Sequence, residues 1–125
     1  MKRIIVFEDD EKLGGAIKAF LEEYNCQPIV VPSGKGGLEL VKKGKPNLIL
    51  MDLLMPGIHG FDLCKILKEN EETKHIPIIV MSAVYNPSTV IMELEDSGAN
   101  EFIKKPFEFS ALLELIESFI YITLE

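Results

Sequence analysis

Short, almost unbroken apolar runs at residues 4–7, 29–31, 48–51 and 76–81, with a briefer one at 101–103, alternate with longer stretches that repeat at helical spacing. The first four runs are too uniformly apolar for half-exposed antiparallel strands and read as strands buried on both faces. Between them, Leu13, Ile17, Phe20, Leu21 and Tyr24 fall on one helical stripe, and Leu112, Ile116 and Phe119 on another within a final helix over 108–120. Helix punctuation agrees: Ser33 is a candidate N-cap for 34–43, Asn86-Pro87 a cap and first-turn proline for 87–96, and Gly98 a stop. Strand and helix in alternation, five times over, predict an α/β fold with a parallel sheet covered by helices on both faces. In such sheets ligands gather at the carboxyl ends of the strands, where the strand order reverses.

A chain of 125 residues, 47% of them hydrophobic, can bury one core without disulfides or structural metals. Cys26 and Cys64 lack metal or redox spacing and read as thiols of a reducing compartment. The first residues reach acid too soon for a signal peptide, and no apolar run approaches membrane-spanning length, so a cytoplasmic location without membrane contact is expected. A formal charge of −7 argues against direct nucleic-acid binding, which needs clustered Lys and Arg.

The first run ends in Glu8-Asp9-Asp10-Glu11 and the third in Asp52, so acids from two strands meet at one sheet edge. Taken alone, residues 8–11 could be a solvated acidic loop. Asp52, directly after four residues that require a dry environment, is a poor place for an incidental charge. Gathered carboxylates either raise a pKa or bind a hard cation, and few oxygen ligands with room for water and phosphate suit Mg²⁺. The fourth run brings the Ser82 hydroxyl to the same edge and the fifth the Lys105 ammonium. A carboxylate nucleophile, a metal, a hydroxyl donor and an ammonium are the parts that phosphoryl transfer uses.

With these residues in place, the chain resembles the receiver domains of two-component response regulators across residues 2–121. Glu8-Asp9 resembles the family's acidic pair, Asp52 in the stretch Asp52-Leu53-Leu54-Met55-Pro56-Gly57 its phosphoacceptor, Ser82-Ala83 its switch hydroxyl, and Lys105-Pro106-Phe107 its lysine-proline element. The resemblance implies a flavodoxin-like (βα)5 doubly wound sheet of strand order 2-1-3-4-5, a receiver domain over 1–121, and 122–125 as a tail or linker stub. It implies Mg²⁺ held by Asp9, Asp52 and the Leu54 carbonyl, with Glu8 acting through water, and a cis Lys105-Pro106 bond. The implied reaction takes a phosphoryl group from the phosphohistidine of a sensor histidine kinase or phosphotransfer protein onto Asp52; the domain is a signalling switch and turns over no external substrate. Ser82 and Phe102 are the implied switch pair. The implied output is a target or effector domain, or a homodimer, met through the face of the fourth helix, fifth strand and fifth helix. Leu54 and Val84, apolar at two positions that tune water attack in the family, predict slow loss of the phosphoryl group.

Two rival readings stay open at this point: a phosphohydrolase with an Asp nucleophile, although Leu54 stands where a second acid would be needed, and a receiver that works without phosphorylation. Ser33-Gly34-Lys35-Gly36-Gly37 lacks the order of a phosphate-binding loop, and its glycines are expected to loosen the second helix from within. His59 and His75 read as surface histidines. Leu113 and Ile120 fall off the main stripe of the last helix and suggest exposed apolar surface for a partner.

Overall fold

The computed structural model describes residues 1–83 and 86–125, which leaves Val84 outside the described residues. The elements run β1 (Lys2–Phe7), α1 (Glu11–Glu22), β2 (Cys26–Val31), α2 (Gly37–Gly44), β3 (Leu48–Asp52), α3 (Gly60–Glu69), β4 (Ile78–Ser82), α4 (Pro87–Ser97), β5 (Glu101–Lys104) and α5 (Phe109–Glu117). All strand pairs are parallel in the order β2-β1-β3-β4-β5, the flavodoxin-like arrangement expected. The order reverses between β1 and β3, so the ends of those two strands, Phe7 and Asp52, open onto the switch-point crevice.

Alternate residues of the central strands feed two cores. Ile5, Phe7, Ile49, Met51, Ile78 and Val80 pack under α2, α3 and α4 with Leu63 and Leu67. Ile4, Val6, Leu50, Ile79 and Met81 pack on the other face with Ile17 and Leu21 of α1 and Leu112 and Ile116 of α5. Burying each of these side chains contributes about 1.5–3 kcal/mol, which is why β3 and β4 tolerate no polar residue before their last positions.

Several expectations need correction. β2 is an edge strand, so Ile29 is 42% exposed rather than buried on both faces, and the strand starts before Pro28, a residue that edge strands accept. The second helix starts at Gly37, not at residue 34: Ser33 does not cap it, and the left-handed Gly36 (φ 69°) precedes it. Gly34 and Gly36 therefore lie outside the helix and do not weaken its interior. The last helix is shorter than 108–120, and Phe119 beyond it is on the surface while Leu112 and Ile116 are fully buried. Leu113 and Ile120 are half-buried against the α1–α5 core, so α5 does not offer the bare apolar surface its sequence suggested. After α5 the chain folds back: Ile122 is buried in the same core, and the Glu125 N–H donates to the Glu23 carbonyl at 3.1 Å.

Candidate functional site

The acidic run at the end of β1 separates into distinct roles. The Glu8 N–H continues the ladder to the Val31 carbonyl (2.9 Å), which pins Glu8 at the strand end with its side chain buried, whereas Asp9 is exposed. Asp10 caps α1, its carboxylate accepting from the Lys12 and Leu13 N–H groups at 2.9 and 3.3 Å. Glu11 occupies the first turn, where the helix dipole favours a negative charge.

Asp52, 5% exposed, closes β3 and accepts from the Leu54 N–H at 3.3 Å. The loop that follows is held on two sides. The Gly60 N–H returns to the Leu53 carbonyl at 2.8 Å, and the Pro56 carbonyl accepts from both Ser33 Oγ and the Gly34 N–H at 3.0 Å. Gly57 needs its left-handed backbone (φ 95°) there, with Lys35 N only 2.8 Å from where a Cβ would stand. His59 is exposed and serves as the N-cap of α3, its Nδ1 accepting from the Phe61 N–H at 3.3 Å. The sequence reading missed this role; a polar residue one position before Gly60 and its helical stripe was the available signal.

Lys105 lies beyond β5, where its N–H donates to the Ser82 carbonyl (2.9 Å) and its bond to Pro106 is cis. Its ammonium reaches Glu8 Oε1 at 2.6 Å and Asp52 Oδ2 at 3.3 Å. Oxygen atoms of Glu8, Asp9 and Asp52 lie within 4.8 Å of one another. Three carboxylates thus gather beside one ammonium, which Glu8 and Asp52 share, and the surplus of hard oxygen donors fits a small divalent cation. Burial pushes the Glu8 carboxyl upward, and the neighbouring Asp52 adds to the rise, together outweighing the pull of Lys105. For Lys105, burial acts downward, but attraction to Glu8 and Asp52 prevails and its pKa rises.

Ser82 ends β4, 1% exposed and one register step from Asp52, whose partner across the ladder is Met81. It lines a cavity of about 170 Å³ with Leu53, Leu54, His59 and Phe61, closed on the α4 side by Thr89, Val90 and Glu93. Phe102, half-buried on β5, packs into the α3–α4 core. Leu54 stands 56% exposed at the rim. Glu8, Asp9, Asp52, Ser82 and Lys105 thus come from four strand ends to one place, while Phe102 sits one layer behind.

Fold and crevice together define a chain built to present a strand-end aspartate among carboxylates that could hold a metal ion. The family model for the response regulator receiver domain matches residues 4–117. The response regulator ArlR of Staphylococcus saprophyticus is 33% identical over 120 residues, covering 96% of this chain and 53% of that protein. The DNA-binding response regulator MtrA of Mycolicibacterium paratuberculosis is 31% identical over 117 residues, 94% of this chain and 50% of that protein. The BeF3-activated receiver domain of RstA from Klebsiella pneumoniae superimposes with a TM-score of 0.85 at 29% identity, over 94% of this chain and 97% of that one. The chain belongs to the receiver domains of the response regulators of two-component systems. It spans about half the length of the curated relatives it matches. No helix among the described residues is long and apolar enough to cross a membrane.

Proposed function

We propose that this receiver, spanning residues 1–121, is a phosphorylation switch in which Asp52 accepts a phosphoryl group from the phosphohistidine of a histidine kinase or phosphotransfer protein. The observation that carries the reading is the placement of Asp52, buried at the end of β3 with the Lys105 ammonium at 3.3 Å and two further carboxylates within 4.8 Å. A carboxylate oxygen of Asp52 attacks phosphorus, the bond from phosphorus to the imidazole nitrogen breaks with its electron pair going to that nitrogen, and an acyl phosphate forms while histidine, protonated on its other ring nitrogen, departs neutral. Asp9, Asp52 and the Leu54 carbonyl would hold Mg²⁺, with Glu8 reaching it through water, and the ion would supply positive charge against the phosphoryl oxygens. Lys105 compensates a further oxygen, and the buried Ser82 hydroxyl is the donor that reports the new charge to the core. Phe102 follows as the packing element, since it already packs against the α3–α4 core beside its ladder partner Val80.

Release is slow in this reading, because the apolar Leu54 at the rim offers water no hydrogen bond; decay after labelling should accelerate in Leu54→Asn. The test of the switch itself is intact mass after incubation with Mg²⁺ and acetyl phosphate. A single adduct in the wild type that is absent in Asp52→Asn is expected; an adduct in both proteins overturns the assignment.

A further inference from the structure

We propose that Ser33, on the loop between β2 and α2, is a positioning residue for the cation site. Its hydroxyl clasps the Pro56 carbonyl and thereby fixes the Leu54 peptide, whose carbonyl would hold the ion. The proposal rests on the metal reading above. Residues 53–59 and Asp9 line one open recess of about 460 Å³, so the loop after Asp52 borders the same space as the exposed acid. The stretch 54–58 has no helix or strand ladder to hold it, and the Leu54 side chain is too exposed for packing to do so. Its Leu54 N–H donates to Asp52 Oδ1 at 3.3 Å, beyond the usual range for such a bond. Among the described residues, the only other hydrogen bonds that 54–58 makes are the two accepted by the Pro56 carbonyl, from Ser33 Oγ and the Gly34 N–H, both at 3.0 Å.

The tie at Pro56 reaches Leu54 because little between them can rotate. The proline ring locks the Pro56 φ, and Met55, which precedes it, is kept out of the helical region. Holding the Pro56 carbonyl therefore restricts the peptide two residues earlier. Close contact between the two loops adds to this restraint. A Cβ on Gly34 would strike Ile58 Cγ2 and stand 3.2 Å from Met55 Cε, and one on Gly57 would stand 2.7 Å from Ser33 Oγ. The Ser33 hydroxyl is itself oriented: it accepts from the Lys35 N–H at 3.1 Å, which leaves its own proton for Pro56. The Gly34 bond comes from backbone and survives any substitution at 33, so the hydroxyl is the part of the clasp that a side-chain change removes.

The test is a Mg²⁺ titration followed by ¹H–¹⁵N NMR at the amides around Asp9, Asp52 and Leu54, with urea unfolding in EDTA run on the same proteins. Loss of a partner that orients a metal ligand weakens metal binding by roughly 10–100-fold; with Ser33 one bond further out and the Gly34 bond retained, Ser33→Ala should raise the Mg²⁺ Kd about three- to tenfold. Ser33→Thr, which keeps the hydroxyl, should stay within about twofold of the wild type. Asn47→Ala removes a comparable bond, from the Arg3 N–H at 2.8 Å, at the opposite edge of the sheet. It should cost similar stability in EDTA and leave the Kd within about twofold of the wild type. A Kd for Ser33→Ala within about twofold of the wild type overturns the proposal, and so does equal weakening by Asn47→Ala, which would trace the effect to lost stability alone. Absence of saturable shifts in the wild type is a separate result: it refutes the metal reading itself, and the clasp's role with it.

Discussion

Replacing Lys105 with Met removes the ammonium that Glu8 and Asp52 share while keeping most of the apolar stem. At 2.6 and 3.3 Å the gross attraction to each carboxylate is of order 5 kcal/mol for an effective dielectric near 20. Most of that offsets desolvation, and stripping one partner from a buried pair usually costs about 3–5 kcal/mol. The Lys105 side chain is 19% exposed, so water screens part of the interaction and a loss of about 2–3 kcal/mol at pH 7.5 is expected. The deficit should depend on pH in a definite direction. Glu8 already has a raised pKa from burial, and losing Lys105 raises it further. A carboxyl raised in the folded state stabilises fully below its unfolded value, about 4.3, and that contribution is lost as pH rises through the folded value. The mutant should therefore approach the wild type near pH 4 and diverge above it. Mg²⁺ should restore part of the loss, since saturation at a hundred times Kd contributes about 2.7 kcal/mol and the uncompensated carboxylates bind it more tightly. Urea unfolding of both proteins from pH 4 to 8, with EDTA or Mg²⁺, measures all three effects. A deficit under about 0.5 kcal/mol, or one that ignores both pH and Mg²⁺, would refute the electrostatic account of the site.

Other outcomes follow from single contacts. Gly60→Ala would place a Cβ 2.6 Å from the Asp52 carbonyl oxygen and 2.7 Å from Leu53 Cα, backbone that cannot yield, so a loss above about 2 kcal/mol is expected in urea unfolding. Gly15→Ala, mid-helix with nothing within 4 Å, should instead stabilise by about 0.5–1 kcal/mol. His59→Ala should lose about 1 kcal/mol of thermal stability with the α3 cap, and His59→Asp should recover it. Burial pushes the Cys64 thiol up to about 12, so Ellman's reagent should reach it only under unfolding conditions.

The architecture was legible in the sequence because it is written in local periodicity: each apolar run reports two covered faces, and each stripe at helical spacing reports one. The residues gathered at the crevice were legible for the same reason, since each stands at the end of its run in a parallel sheet. What the tertiary structure alone decided are properties of neighbours. Ile29 resembles Ile49 in sequence, yet it is exposed because β2 has a strand on one side only. Leu113 and Ile120 looked spare on an isolated helix and are covered once α1 lies beside α5. The second helix starts late because Ser33 and Gly34 bond to Pro56, a partner more than twenty residues away that no window of the sequence contains. Among four consecutive acids, the sequence by itself supplied the charges and the edge they occupy. Which of them meets an ammonium 97 positions along the chain, which caps a helix and which faces water was decided by the handed crossing of strands and the dry space left at their ends.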